Sequence, residues 1–96
     1  MEACVYILRC ADGSYYVGLT RKEPEERLWE HNNKVVPGYT ASRTPVELVH
    51  VERYERIVEA IARELQVKRW SRKKKEALIR GDFESLPDLA SRPKRT

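Results

Sequence analysis

Four groups of side chains in this sequence have the types and spacing for chemistry. The first is a single carboxylate. Residues 57–70 read as a helix, and at about 100° per residue Glu64 falls between Ile57 and Ala60, inside an apolar stripe that also takes in Ile61 and Leu65. A buried carboxylate is costly unless it is paired or binds a cation. Lys68, one turn on, offers the plain ion pair. The other reading is a metal ligand, because one carboxylate with waters and a substrate phosphate suits Mg²⁺.

The second group is Arg27 and His31, four residues apart and so on one helix face. Together they can present donors to a phosphate, the arginine in bidentate fashion. The plainer reading is a solvated face flanked by Glu23, Glu26 and Glu30. The third group is aromatic: Tyr6, Tyr15 and Tyr16, of five tyrosines in the chain, crowd one stretch. The fourth is the run from Lys68 to Lys75, in which Lys68, Arg69, Arg72, Lys73, Lys74 and Lys75 surround Trp70 and Ser71. Such a run is either a solvated surface or a track for a phosphate backbone.

The elements that must position these groups follow from pattern and punctuation. Residues 3–10 are rich in strand formers, Ala11-Asp12-Gly13 signals a turn, and residues 15–19 form the return strand. A three-residue loop with Gly13 left-handed pairs Cys10 with Ser14 and puts Tyr6 and Tyr16 on the same face. A two-residue Asp12-Gly13 turn puts them on opposite faces. Pro24 opens a helix with acids in its first turn, running to His31. Residues 32–45, with Asn32-Asn33, Pro37-Gly38 and Thr44-Pro45, read as a loop. A third strand spans residues 46–54 and a second helix 57–70. Ser71 can cap a third helix that Gly81 ends. The order β-β-α-β-α-α describes an α+β domain, a small sheet with helices packed on it. Residues 1–90 are expected to form this single domain, with residues 91–96 as a frayed tail.

Composition removes several alternatives. Ninety-six residues leave room for one domain. No run of about 18 apolar residues is present, so no spanning helix and no membrane partner is expected. The opening Met1-Glu2-Ala3 does not resemble a secretory signal. Cys4 and Cys10 are six positions apart on one strand, roughly 20 Å at about 3.3 Å per residue, whereas a disulfide needs Cα atoms about 4.4–6.8 Å apart. Reduced cysteines fit a cytoplasmic protein. The net charge of +4 is uneven: residues 1–50 carry −1 and residues 51–96 carry +5. That excess hints at an anionic partner.

In order along the chain, Cys4-Val5-Tyr6, Tyr16-Val17-Gly18, Arg27, His31 and Glu64 resemble the GIY-YIG nuclease domain. The resemblance covers residues 3–80. Ile7 to Ser14, Gly38-Tyr39-Thr40 with Arg43 and Pro45-Val46, and Lys68-Arg69-Trp70-Ser71-Arg72 look like the small bacterial proteins that consist of this domain alone. The resemblance implies a three-stranded antiparallel sheet flanked by helices. It also implies hydrolysis of a DNA phosphodiester, in repair or processing, with one divalent ion, Mg²⁺ or Mn²⁺.

Carried over residue by residue, the resemblance gives Glu64 the ion and Arg27 the phosphate or attacking water. His31 assists beside Arg27, and Tyr6 or Tyr16 takes the proton from water. Lys68, Arg69, Arg72, Lys73, Lys74, Lys75 and Arg43 are then the candidate contacts to nucleic acid. Cys4 stands where the family name has glycine, Leu19 follows Gly18 where several active members carry lysine, and no asparagine occurs beyond Asn33. These departures keep a second expectation open, a nucleic-acid-binding module or adaptor with the same fold and little or no catalysis. A chain this short also leaves specificity to the domain itself or to a protein partner.

Overall fold

The computed structural model describes residues 2–82. The tail expected at 91–96, and the end of the expected domain, lie outside the described residues. Three strands, β1 (Ala3–Arg9), β2 (Tyr15–Thr20) and β3 (Glu47–Tyr54), form one antiparallel sheet in the order β2-β1-β3. Three helices flank it: α1 (Pro24–Asn32), α2 (Ile57–Lys68) and α3 (Arg72–Arg80). The α+β class and the three-stranded sheet are as the sequence implies. Among the described residues no helix is long and apolar enough to cross a membrane.

Central β1 is apolar on both faces because both are covered. Ala3, Val5 and Ile7 point into one core with Val17, Ala60, Val67 and Leu78, beneath α2 and α3. Tyr6 and Leu8 point the other way, into a second core with Cys10 and Val46 and with Leu28 of α1. Fully burying a side chain such as Ile7 contributes about 1.5–3 kcal/mol, so this one strand anchors both layers. Cys4 and Cys10 are both buried and free.

Turn chemistry sets the register. Gly13 is left-handed at φ 86°, its amide donates to the Cys10 carbonyl, and the Cys10 amide donates to the Ser14 carbonyl. The Asp12 carboxylate accepts from both the amide and the hydroxyl of Ser14. The three-residue loop therefore holds, and Tyr6 pairs with Gly18 and Leu8 with Tyr16.

Two details differ from the expectation. The segment 32–45 is not wholly irregular, since Tyr39–Ser42 forms a 3₁₀ turn. On α2 the buried line runs through Ala60 and Val67, while Ile61 and Leu65 are exposed. The helix settles on its small Ala60 and β-branched Val67, which leaves the two larger residues at the rim. Glu64 stays within the buried line, its side chain 14% exposed.

Candidate active site

The hairpin register builds the first half of the site. Gly18 lies directly across from Tyr6, and a Cβ at Gly18 would fall on the Tyr6 ring at Cζ and the hydroxyl. Absence of a side chain there lets the Tyr6 ring lie flat across β2. Tyr16 shares that face, with the two ring centroids 6.3 Å apart.

Helix α1 supplies the second half. Its last turn brings the His31 ring 5.9 Å from Tyr6 and 5.1 Å from Tyr16, centroid to centroid. His31 Nε2 is 3.0 Å from the Tyr6 hydroxyl and its Nδ1 is 2.7 Å from Thr40 Oγ1. Tyr6, His31 and Thr40 are all buried. Burial, with the charge of Arg27 adding to it and that of Glu30 opposing, pulls the His31 pKa below its ordinary value and favours the neutral ring. Burial also pushes the Tyr6 phenol up, while the neighbouring Arg27 guanidinium works against that rise.

Arg27 stands one turn before His31. Its Nη1 donates to Glu30 at 2.6 Å, and Glu30 also takes Lys22 at 2.7 Å. Burial opposes the charge on Arg27, but Tyr6 and Glu30 beside it more than compensate and raise its pKa. Its Nε is buried with no hydrogen-bond partner. An unmet buried donor of this kind costs about 1–3 kcal/mol, more when charged, and the rest of the guanidinium, its side chain 21% exposed, interacts with Glu30 and the Tyr6 phenol.

Glu64 belongs to the helical layer on the opposite face of the sheet, and its carboxylate accepts from Lys68 at 2.9 Å. The two halves meet around the edge strand. Lys68 lines an open cavity of about 320 Å³ together with Tyr15, Tyr16, Val17, Tyr39 and Lys75. Tyr16 thus faces both the His31 cluster and the cavity beside the Glu64–Lys68 pair.

Comparison with known proteins decides the affiliation. Residues 2–77 match the GIY-YIG catalytic domain. The chain belongs to the GIY-YIG family. A UPF0213 protein of Halobacterium salinarum is 45% identical over 75 residues, which cover 78% of this chain and 96% of that protein. One from Staphylococcus saprophyticus is 44% identical over 78% of this chain and 90% of its own length. The solution structure of a UPF0213 protein from Bacillus halodurans superposes with a TM-score of 0.55 at 36% identity, covering 96% of this chain and all of that one. The solution structure of a protein from E. faecalis gives 0.58 at 33% identity, covering all of this chain and 95% of that one.

Among GIY-YIG signature positions in this chain, Tyr6, Tyr16, Arg27 and His31 converge on one cluster. Glu64 stands apart from them, on Lys68. Its carboxylate is a hard oxygen ligand, and among the described residues no group of three or more His, Cys, Asp or Glu side chains could form a protein-only cage. A lone carboxylate is a ligand that Mg²⁺ would take beside waters and substrate oxygens, and here it accepts from Lys68. It does not fit a structural zinc site.

The basic residues separate by environment. Arg43 lies 3.9 Å above the Tyr39 ring and is tied to Asp12 at 3.0 Å and to the Tyr39 carbonyl at 2.7 Å. Arg72 pairs with Glu76 at 3.0 Å and donates to the Gly13 carbonyl at 2.8 Å. Lys74 is buried, with its ammonium 4.0 Å from the Trp70 ring centroid. Arg69 and Lys73 are exposed, and Lys75 is half-buried. Two residues that the sequence did not single out for the site are needed by its geometry: Gly18, which makes room for Tyr6, and Thr40, which holds His31. Thr40 was legible only as one letter of a short motif in an apparent loop.

Proposed function

We propose that this GIY-YIG domain is an endonuclease that hydrolyses DNA phosphodiester bonds with one Mg²⁺ or Mn²⁺ ion held by Glu64. The observation that carries the reading is Arg27: a charged guanidinium, its side chain 21% exposed, set beside the Tyr6 phenol and the His31 ring, which form one cluster with Tyr16. That group suits the negative charge that develops on phosphoryl oxygens during hydrolysis, and stabilising that charge is most of what such a catalyst does. The ion supplies further charge stabilisation and lowers the cost of activating water.

Tyr16 takes the proton of the attacking water in this scheme. It opens on the cavity, whereas Tyr6 has no exposed surface. The water oxygen bonds to phosphorus as Tyr16 takes its proton, the P–O bond to the leaving sugar oxygen breaks, and that oxygen takes a proton from solvent to leave as the alcohol. Tyr6, His31 and Thr40 form the buried chain that keeps the aromatic cluster in place. The substrate is nucleic acid, a protein partner supplies further specificity, and the setting is the cytoplasm.

A second reading is a nucleic-acid-binding module or adaptor without catalysis. The Glu64–Lys68 pair favours it, because the carboxylate is already satisfied. Cleavage of plasmid and branched DNA with Mg²⁺ or Mn²⁺, beside binding in EDTA, separates the two. Hydrolysis predicts ion-dependent cutting by the parent that Glu64→Gln abolishes without a change in thermal stability. A Glu64→Gln protein that cuts as well as the parent sinks the assignment, and binding without any cutting by the parent selects the module.

A further inference from the structure

The first turn of α3 is electrostatically unusual. Arg72, Lys73, Lys74 and Lys75 follow the Ser71 cap in a nine-residue helix that has no acid in that turn. The backbone at a helix N-terminus already carries partial positive charge and prefers acids there. Three of the four cations have compensation. Arg72 pairs with Glu76, Lys74 rests on Trp70, and Lys73 is in water.

Lys75 is different. It is half-buried and has no ion pair among the described residues, and burial lowers the pKa of its ammonium. It lines the cavity of about 320 Å³ that also takes Lys68, Tyr15, Tyr16, Val17 and Tyr39, and no acid is in that lining. A cavity of this size is within the range of small-ligand sites. Two lysines, Lys75 without an ion pair among the described residues and Lys68 shared with the Glu64 carboxylate, and three tyrosines make its chemistry that of an anion with an attached flat or apolar body. Phosphate bound to Lys and bases stacked on aromatic rings are the usual components of such a groove.

We propose that this cavity is a phosphate subsite, in which Lys75, with Lys68 beside it, holds a nucleic-acid phosphate. The inference rests on the reading that the substrate is nucleic acid, and it goes further by dividing the basic run. Lys75 is a specific contact, while Lys73, two positions earlier and equally charged, is not. The stacked Tyr16 and Tyr39 rings, the latter covered by Arg43, form the aromatic wall beside the phosphate.

The test compares Lys75→Met with Lys73→Met, the first keeping an unbranched stem in the half-buried position. Affinity for a fluorescein-labelled oligonucleotide of mixed sequence is read by anisotropy in EDTA across a range of salt, with thermal melts as the folding check. Lys75→Met is expected to weaken binding roughly tenfold and to lower the salt slope by about one. Lys73→Met is expected to change affinity by less than about threefold. Equal losses in the two variants, or no loss in a folded Lys75→Met, overturn the subsite. If Lys75→Met does not fold, Lys75→Gln and Lys75→Arg replace it, and failure of arginine to bind better than glutamine overturns the subsite. Because binding is read in EDTA, a parent that binds but never cuts overturns the proposed hydrolysis and leaves the subsite standing. A parent that does not bind the oligonucleotide overturns both.

Discussion

The Tyr6 hydroxyl lies 3.0 Å from His31 Nε2, and neither side chain reaches solvent. A neutral imidazole has one N–H, so it donates at one nitrogen and accepts at the other. With Thr40 Oγ1 at 2.7 Å from Nδ1, both ends of the ring are satisfied, and the hydroxyls of Tyr6 and Thr40 take opposite roles. Strand β1, helix α1 and the 3₁₀ turn are thereby joined through three side chains. That join fixes the wall against which Tyr16 packs.

Thr40 is therefore expected to act as a positioning residue. Thr40→Val keeps the shape but leaves a buried imidazole nitrogen without its partner, a loss of about 1–3 kcal/mol. Steady-state cleavage should show kcat reduced by roughly tenfold with KM little changed, the rate equivalent of about 1.4 kcal/mol. Thr40→Ser should restore the rate, since it returns the hydroxyl. Equal rates for Thr40→Val and the parent would remove Thr40 from the site.

The two tyrosines should separate by rate. If Tyr16 accepts the proton, Tyr16→Phe loses the base and should cut at least about 100-fold more slowly, the lower end for general base catalysis. Tyr6→Phe removes the buried hydrogen bond to His31 and the phenol oxygen beside Arg27, and should lose roughly tenfold. Single-turnover rates with saturating DNA measure both. A reversed order would hand the role to Tyr6.

Gly18 is expected to tolerate no side chain. A methyl group there meets the Tyr6 ring, which is enclosed and has no room to withdraw. Overpacking of this kind costs about 1–3 kcal/mol. Gly18→Ala should lower the urea midpoint and impair cleavage although every ionisable residue of the site is kept. The double variant Gly18→Ala with Tyr6→Leu should recover part of the stability, because the smaller side chain frees the space.

How much of this can be read from the chain depends on the range of the interaction. The hairpin, the Ser71 cap and the Gly81 stop are local, and each follows from residues within a few positions. The choice of face for Tyr16 hangs on the Asp12-Gly13 turn, where the residues allow two loop lengths and the Cys10–Ser14 pairing selects one. Glu64 is legible as a buried carboxylate from periodicity, but Ile61 and Leu65 are not placed by it, because periodicity does not say how deeply an arc sinks. Thr40 takes its place from His31 and Lys75 from the strand β2 and Tyr39 side of its cavity, neighbours far along the chain that spacing cannot report. The basic run looks uniform for the same reason, since Trp70, Glu76 and the Gly13 carbonyl sort its members only after folding.

Stability should depend on pH through His31. Burial and the Arg27 charge depress its pKa below the ordinary 6.5, with Glu30 opposing. The unfolded chain therefore binds a proton that the folded one refuses. The sign follows: the contribution of neutral His31 is full above about pH 6.5 and is lost as pH falls below it, at no more than about 1.4 kcal/mol per pH unit. Glu52 does not interfere in that window. Despite its burial, hydrogen bonds from His50, Arg63 and Tyr54 hold its carboxyl at about 2, so its own contribution is lost only as pH falls from about 4.5 toward that value. Thermal midpoints between about pH 7.5 and 5 should fall for the parent and stay flatter for His31→Gln, which starts lower because the Tyr6 and Thr40 hydroxyls lose their ring partner. Parallel slopes in the two proteins would show that His31 takes up its proton without cost, and the neutral ring on which the Tyr6–His31–Thr40 chain depends would have to be abandoned.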